Sequence, residues 1–469
     1  MTDITDEIDL SHAGARVTGH GLDAWRAEAG EMLKLAVPLA FTQLAQMAIM
    51  TTDTIMLGHL STHALACAAL GNTVFFFTWL IGCGPAAAVA PMIAHVLGEH
   101  PNDRAHVRAA TRMGFWSVFL LSVPLVMVML FARQILLFLG QQPDLAAGAG
   151  QFVGMLCWGL PFSLGYQVLR NFSTALSKPI ASLIVMVAAI FFNAFGDYAL
   201  IFGHFGAPRL GLVGSGTASA CSYAFSFFAM VLVVYLTPGL RKYRIFRRFH
   251  RPHVEKILEV FRLGMPIGLT MIFEAMLFNS ATLIMGTFGT NTLAAHMVAI
   301  NVPSITFMVP LGIGMAATVR VGLAAGARDS EAVRRAGWSA IVIAASFMTV
   351  TSVLLWLFPD RIASLYFSDP RTSADVLALA VLFLHVAAVF QIVDGVQVTG
   401  ALSLRGLKDA RAPMWIAGAS YWLAGFPTCL LFAFGFHMKG LGIWIGLAFG
   451  LLVAAAAMCW RFWYLSRSR

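Results

Sequence analysis

Apolar runs of about 20 residues recur from one end of this chain to the other, and that length crosses a bilayer as helix. Inside hydrocarbon every backbone amide and carbonyl must be bonded within the protein, so helices or closed barrels are the only spanning structures. Barrel strands would alternate in segments of about ten residues, and this chain does not alternate. The composition agrees. Of 469 residues, 59% are hydrophobic and 11% are charged, against roughly 25% charged in an average soluble domain. The fold class is an all-α polytopic membrane protein. A soluble enzyme, a secreted disulfide scaffold and a disordered chain are excluded.

Twelve runs are long enough to span. They divide the chain into an N-terminal segment (1–32), a first lobe of six helices (33–236), a basic connector (237–260), a second lobe of six helices (261–463) and a tail (464–469). The acidic start Met-Thr-Asp-Ile-Thr-Asp-Glu lacks the basic region of a cleaved signal, so the first apolar run is expected to stay in the protein. The net charge is +9. Nucleic acid is not the expected partner, because the basic residues sit in short loops, where topology accounts for them. Assigned by span parity, 26 of the 31 Lys and Arg fall on one side. That side is read as cytoplasmic, which puts both termini inside. The connector run RKYRIFRRFHR is then a topogenic loop that also attracts anionic lipid. The six cysteines lie in apolar segments without CxxC spacing, so neither a zinc site nor a disulfide framework is expected.

The chain repeats itself at an offset of 228 without a gap over two spans. Pro38 falls on Pro266, Thr42 on Thr270, Gly58 on Gly286, Gly84 on Gly312 and Gly98 on Gly326. Six spans per repeat give both halves the same orientation, so the lobes are pseudo-symmetric about an axis along the membrane normal.

Four acids fall inside spans: Asp53, Asp197, Glu274 and Asp394. A carboxylate in hydrocarbon costs about 2.5–3.5 kcal/mol or more, and no Lys or Arg sits at mid-span to offset it. At about 1.5 Å of rise per residue, Asp53 and Asp197 share one depth and Glu274 and Asp394 another, one pair per lobe. Asn193 lies at i, i+4 from Asp197 on the same face. Close carboxylates share a proton readily, and hard cations such as sodium take oxygen ligands. Gln46 is the repeat counterpart of Glu274, and Asp53 that of Ala281, so the lobes differ in polar chemistry. Gln46 and Asn301 are secondary polar candidates.

Several stretches now resemble the MATE (multidrug and toxic compound extrusion) transporters, in their NorM-type bacterial branch. They are Pro38 with Thr52-Asp53-Thr54-Ile55-Met56, and Gly264-Met265-Pro266 with Phe273-Glu274. Further on come Ala294-Ala295-His296, the run Ala317 to Gly322, and Gln391 to Gln397 leading to Leu404-Arg405-Gly406. The resemblance covers about 30–463. It implies that Asp53 is the N-lobe acid, with Asn193 and Asp197 completing that site. It implies a helix bend at Pro38, and a C-lobe site at Glu274 and Asp394 that binds a cation, sodium included. At 197 NorM-type members tend to carry an amide, whereas this chain has the acid of the DinF-like branch, so Na+ and H+ both stay open.

The expected function is secondary active efflux of organic cations and lipophilic drugs in exchange for Na+ or H+. The protein would work as a monomer among membrane lipids in a bacterial inner membrane, with no cofactor. The alternative is a lipid-linked precursor flippase of a related fold, which would line its cavity with Lys and Arg for a pyrophosphate. A channel would repeat its lining residues, and an enzyme would show a nucleophile–base or metal motif. The runs Gly214 to Ser219 and Gly312 to Ala317 echo nucleotide loops but sit inside spans, where small residues serve close packing. His59 and His63 have helical i, i+4 spacing, read as incidental rather than metal-binding. Phe75, Phe76, Phe77 and Trp79 are read as packing or lipid-facing rather than as a drug cavity.

Overall fold

A computed structural model describes residues 21–247, 249, 252–366 and 374–467. The first twenty residues, Arg248, His250, Arg251, Arg371 and the last two residues of the tail lie outside that set. All regular structure among the described residues is helical, as hydrocarbon requires. The twelve spans are α1 Leu22–Leu60, α2 Thr62–Glu99, α3 Arg104–Leu130, α4 Pro143–Ala175, α5 Ile180–Phe202, α6 Leu212–Leu236, α7 Val254–Thr287, α8 Thr290–Gly326, α9 Ser330–Leu357, α10 Ala374–Gly406, α11 Arg411–Gly435 and α12 Lys439–Arg467.

The apolar runs mark the hydrocarbon, and the helices do not stop there. α1 begins eleven residues before its apolar run and α7 seven before, because a helix continues into water wherever one face has something to pack on. α3 ends early, at Phe131, and a short helix Ala132–Phe138 carries on the apolar run. α4 tightens into a 3-10 turn at Cys157–Gly159, just before Pro161, whose missing N–H interrupts the ladder. α11 loosens into two π-helical stretches, Ser420–Gly425 and Leu431–Gly435, on either side of Pro427. α1 stays helical on both sides of Pro38.

The chain forms two compact units. One is Phe41–Gly268; the other is Leu269–Arg469 with the chain up to Ala40. The borders in α1 and α7 are 228 residues apart, the same offset as the sequence repeat, and each lies two residues after a repeat proline, Pro38 or Pro266.

Each unit is locked by a backbone contact that repeats in register. In the 41–268 unit, a Cβ on Gly84 of α2 would lie 2.9 Å from the backbone nitrogen of Gly268 in α7, the repeat counterpart of Ala40, and would overlap the Gly264 carbonyl. In the other unit, a Cβ on Gly312 of α8 would lie 2.6 Å from the Ala40 backbone nitrogen of α1. Gly314 is filled against Leu402, and Gly214 against the Leu200 carbonyl. Both glycine-rich runs are thus used for close helix packing.

The early turns of α1 bury one face, Ala24, Glu28, Met32, Leu35 and Leu39, at helical spacing. Glu28 on that face forms a two-pronged ion pair with Arg320 of α8, Nε to Oε1 at 2.8 Å and the terminal nitrogen to Oε2 at 2.6 Å. Both side chains are buried, at 3% and 9% exposure. Removing one partner of such a pair strands the other charge, at a cost of about 3–5 kcal/mol. Arg320→Ala should therefore lower the thermal unfolding temperature sharply in detergent. Glu28→Met with Arg320→Met should recover most of the loss, because two apolar side chains leave no stranded charge.

Candidate functional site

In the 41–268 unit three helices bring their polar residues to one place. α1 supplies Asp53, α5 supplies Asn193 and Asp197 one turn apart, and α6 supplies Ser215 and Ser219 one turn apart. The close approach of α6 to α5 at Gly214 makes this possible. Ser219 Oγ donates to Asp53 Oδ2 at 3.0 Å. Asp197 and Asn193 also lie close enough to act on the Asp53 carboxyl, and Ser215 on that of Asp197. Asn193, Asp197 and Ser215 are fully buried, whereas Asp53 is half-buried. The second Asp53 oxygen, both Asp197 oxygens, the Asn193 amide and the Ser215 hydroxyl have no geometrically sound hydrogen bond among the described residues. Buried polar atoms are rarely left this way in an apolar interior, which sets this group apart from the hydroxyls around it. Tyr223 of α6 borders the group, stacked on Phe75 with ring centroids 5.6 Å apart.

In the other unit, Glu274 of α7 and Asp394 of α10 are neighbours, so the shared depth is matched by proximity. Asp394 is buried and Glu274 half-buried. Two further groups join them. Tyr421 of α11 is fully buried with its hydroxyl unpartnered, and it senses both acids. It sits in the first π-helical stretch of α11, a distortion often found at functional sites. Arg405, near the end of α10, is the positive charge that acts on Glu274. The sequence alone places no Lys or Arg at mid-span beside either pair.

The secondary candidates lie apart from these contacts. Asn301 Oδ1 accepts from the Tyr366 hydroxyl at 2.9 Å. Gln46 is half-buried on α1 and makes no side-chain hydrogen bond among the described residues. The reading of His59 and His63 as one helical pair is corrected: Ser61 breaks the helix between them, extended at φ −171° and capping α2 through Ala64 N. His59 bonds the Ile55 carbonyl and His63 lies 4.0 Å from Asp144. Of the aromatic run in α2, Phe75 packs on Tyr223 and Trp79 donates to Ser163 at 2.8 Å.

Against known proteins, the MatE family model matches this chain twice, over 38–199 and 266–431, with the two matches starting 228 residues apart. The chain belongs to the MatE family. It is 42% identical over 441 residues to the "Probable multidrug resistance protein NorM" of Brucella suis, with 93% of each chain covered. It is also 42% identical over 460 residues to the protein of the same name from Mesorhizobium japonicum, with 97% of each covered. Among solved structures it matches the eukaryotic MATE transporter AtDTX14 with a TM-score of 0.83 at 22% identity, over 95% of this chain and 98% of that one. A MATE structure in the bent conformation matches with a TM-score of 0.84 at 19% identity, over 95% and 98%. These likenesses fix the fold, and the NorM relatives place the chain in that bacterial branch.

Ser219 provides a direct check on the first site. A hydrogen bond to a charged group is worth about 1.5–3 kcal/mol, so Ser219→Ala should destabilise the protein by that order where Asp53 is ionised. Asp53→Asn with Ser219→Ala should cost less than the two single changes together, which a double-mutant cycle of unfolding temperatures reads.

Proposed function

We propose that this MatE-family chain is a secondary active multidrug exporter that exchanges cationic and lipophilic drugs for Na+ or H+. The observation that carries the proposal is the pair Asp53 and Asp197, carboxyls on two helices with only neutral partners, an amide and two hydroxyls, around them. Two such charges side by side repel each other, so the pair recruits a proton or a metal cation, or the positive end of an organic cation. These occupants exclude one another because they use the same oxygens. Exclusion of drug by ion is what exchange requires. The names of the NorM relatives point to drugs as the cargo.

Glu274, Asp394 and Tyr421 supply a second set of oxygens in the other unit, suited to a hard cation. Arg405 beside Glu274 offsets part of that charge, so the two groups differ in electrostatics as well as in residues. A flippase for a lipid pyrophosphate would need cations where both groups present acids. In the exchange we infer, ion binding from outside displaces the drug, and ion loss to the cytoplasm restores drug affinity. The helix of Pro38 supplies the movement, since its ring removes one backbone hydrogen bond. The protein lies in the inner membrane with its basic loops and both termini in the cytoplasm.

Inside-out vesicles with sodium and pH gradients imposed separately test the proposal. Drug movement should follow one gradient, and Glu274→Gln and Asp394→Asn should each abolish it while the protein still inserts. Normal transport by either variant removes that residue from the mechanism. Equilibrium binding of a fluorescent cation over pH 5–9 should weaken at low pH. Asp53→Asn should bind about tenfold more weakly at high pH, roughly 1.4 kcal/mol, and without pH dependence. For the orientation, single cysteines at 242 and 439 in a cysteine-free background should label from opposite sides.

A further inference from the structure

Four cations converge on one face of the 41–268 unit, at the end where its basic loops lie. Arg104 opens α3 and Arg108 stands one turn further on. Lys178 lies in the turn between α4 and α5, and Lys242 follows the short helix Pro238–Arg241. The assembly is built around Tyr243. Its ring is buried and packs edge-on against Phe172 of α4, with centroids 5.9 Å apart. Its carbonyl accepts from Arg108 Nε at 2.9 Å. Lys242 Nζ stands 5.4 Å from the centre of the same ring. The Lys178 methylene next to its ammonium passes over Gly239, 3.4 Å from where a side chain there would begin. Burial, and then the charges of Arg104 and Lys178, hold the Lys242 ammonium below the usual lysine range.

None of these four is in an ion pair among the described residues. Several cations of the other unit are paired. There Arg320 pairs with Glu28, Arg335 with Glu331 at 3.3 Å and Arg461 with Asp409 at 3.0 Å. Two of the four charges open α3, one lies in the α4–α5 turn and one follows α6; Asp103, which caps α3 beside Arg104, pairs with His106. Four like charges held this close suit an anion. The surface beside them says which anion. Ile180 and Ile184 open α5 right after Lys178, and Leu232 and Leu236 close α6 just before Pro238; all four are 57–69% exposed. A basic cluster at the foot of an exposed apolar strip fits a phosphate that carries acyl chains.

We propose that Arg104, Arg108, Lys178 and Lys242 bind the phosphate of an anionic phospholipid, whose chains lie along Ile180, Ile184, Leu232 and Leu236. A Lys or Arg near a membrane surface contributes enough to change lipid affinity about fivefold. The test is native mass spectrometry of the full-length protein titrated with phosphatidylglycerol, phosphatidylcholine or inorganic phosphate. Wild type should retain phosphatidylglycerol in preference to phosphatidylcholine. Lys178→Gln should weaken that binding about 5-fold and Lys178→Gln with Lys242→Gln about 25-fold. Arg328→Gln with Arg334→Gln, at the α8–α9 corner of the other unit, should leave it unchanged. Equal weakening by the two double variants, or no preference for the anionic lipid, overturns the site. Displacement of the lipid by millimolar inorganic phosphate overturns the lipid as its occupant. Lys178→Gln alone keeps the test open if the double variant does not fold.

Discussion

A carboxyl group carried into hydrocarbon has to be met by something inside the protein, and much of this structure follows from how that is done. Hydroxyls in these helices mostly satisfy themselves. Thr217, Ser222 and Ser226 of α6 each donate to the carbonyl four residues back. Ser219, on the same helix, reaches across to Asp53 instead. That single change of partner marks the face of α6 on which the acids lie. It depends on Gly214, where α6 comes against the α5 backbone too closely for any side chain. Backbone packing and the placing of the acidic group are one arrangement here.

The repeat explains why the scaffold tolerates two unlike sites. Gly84 in one unit and Gly312 in the other are 228 residues apart and make the same kind of contact, glycine against the backbone of α7 or α1. The unit borders in α1 and α7 keep the same offset, and so do the starts of the two family-model matches. Small residues that set interhelical distance are held in common, because both units solve the same packing problem. The acids are not held in common, because they do not carry the packing.

The sequence made the helices, the repeat and the acid pairs legible, for physical reasons that also mark where it stopped. Run length reads the hydrocarbon directly, and rise per residue puts Asp53 level with Asp197 and Glu274 level with Asp394. It could not identify Ser215 and Ser219, since a spanning serine usually bonds its own helix and looks the same either way. Their spacing with Ser222 and Ser226 along one face of α6 was the available signal. Tyr421 was hidden for another reason. α11 departs from 3.6 residues per turn at Ser420–Gly425, so a face drawn with α-helical periodicity misplaces that side chain. Arg405 lies beyond the apolar core of its run, yet α10 stays helical through Gly406 and carries it there. Glu28 lay before the apolar run of α1, on a stretch that hydropathy alone leaves outside the membrane helix.

Repeat register also separates the two acid groups along equivalent helices. Asp53 corresponds to Ala281, and Glu274 to Gln46, so the acid of α1 lies seven residues further along its helix than the acid of α7. Seven residues of helix amount to about 10 Å. Within its own unit, each acid meets a different helix at that level: α5 and α6 for Asp53, α10 and α11 for Glu274. The first group is ringed by an amide and hydroxyls, and the second by a tyrosine and the field of an arginine. The two carboxyl pairs therefore differ in their surrounding donors and in local charge, and under the proposed exchange that difference sets how each would hold an ion.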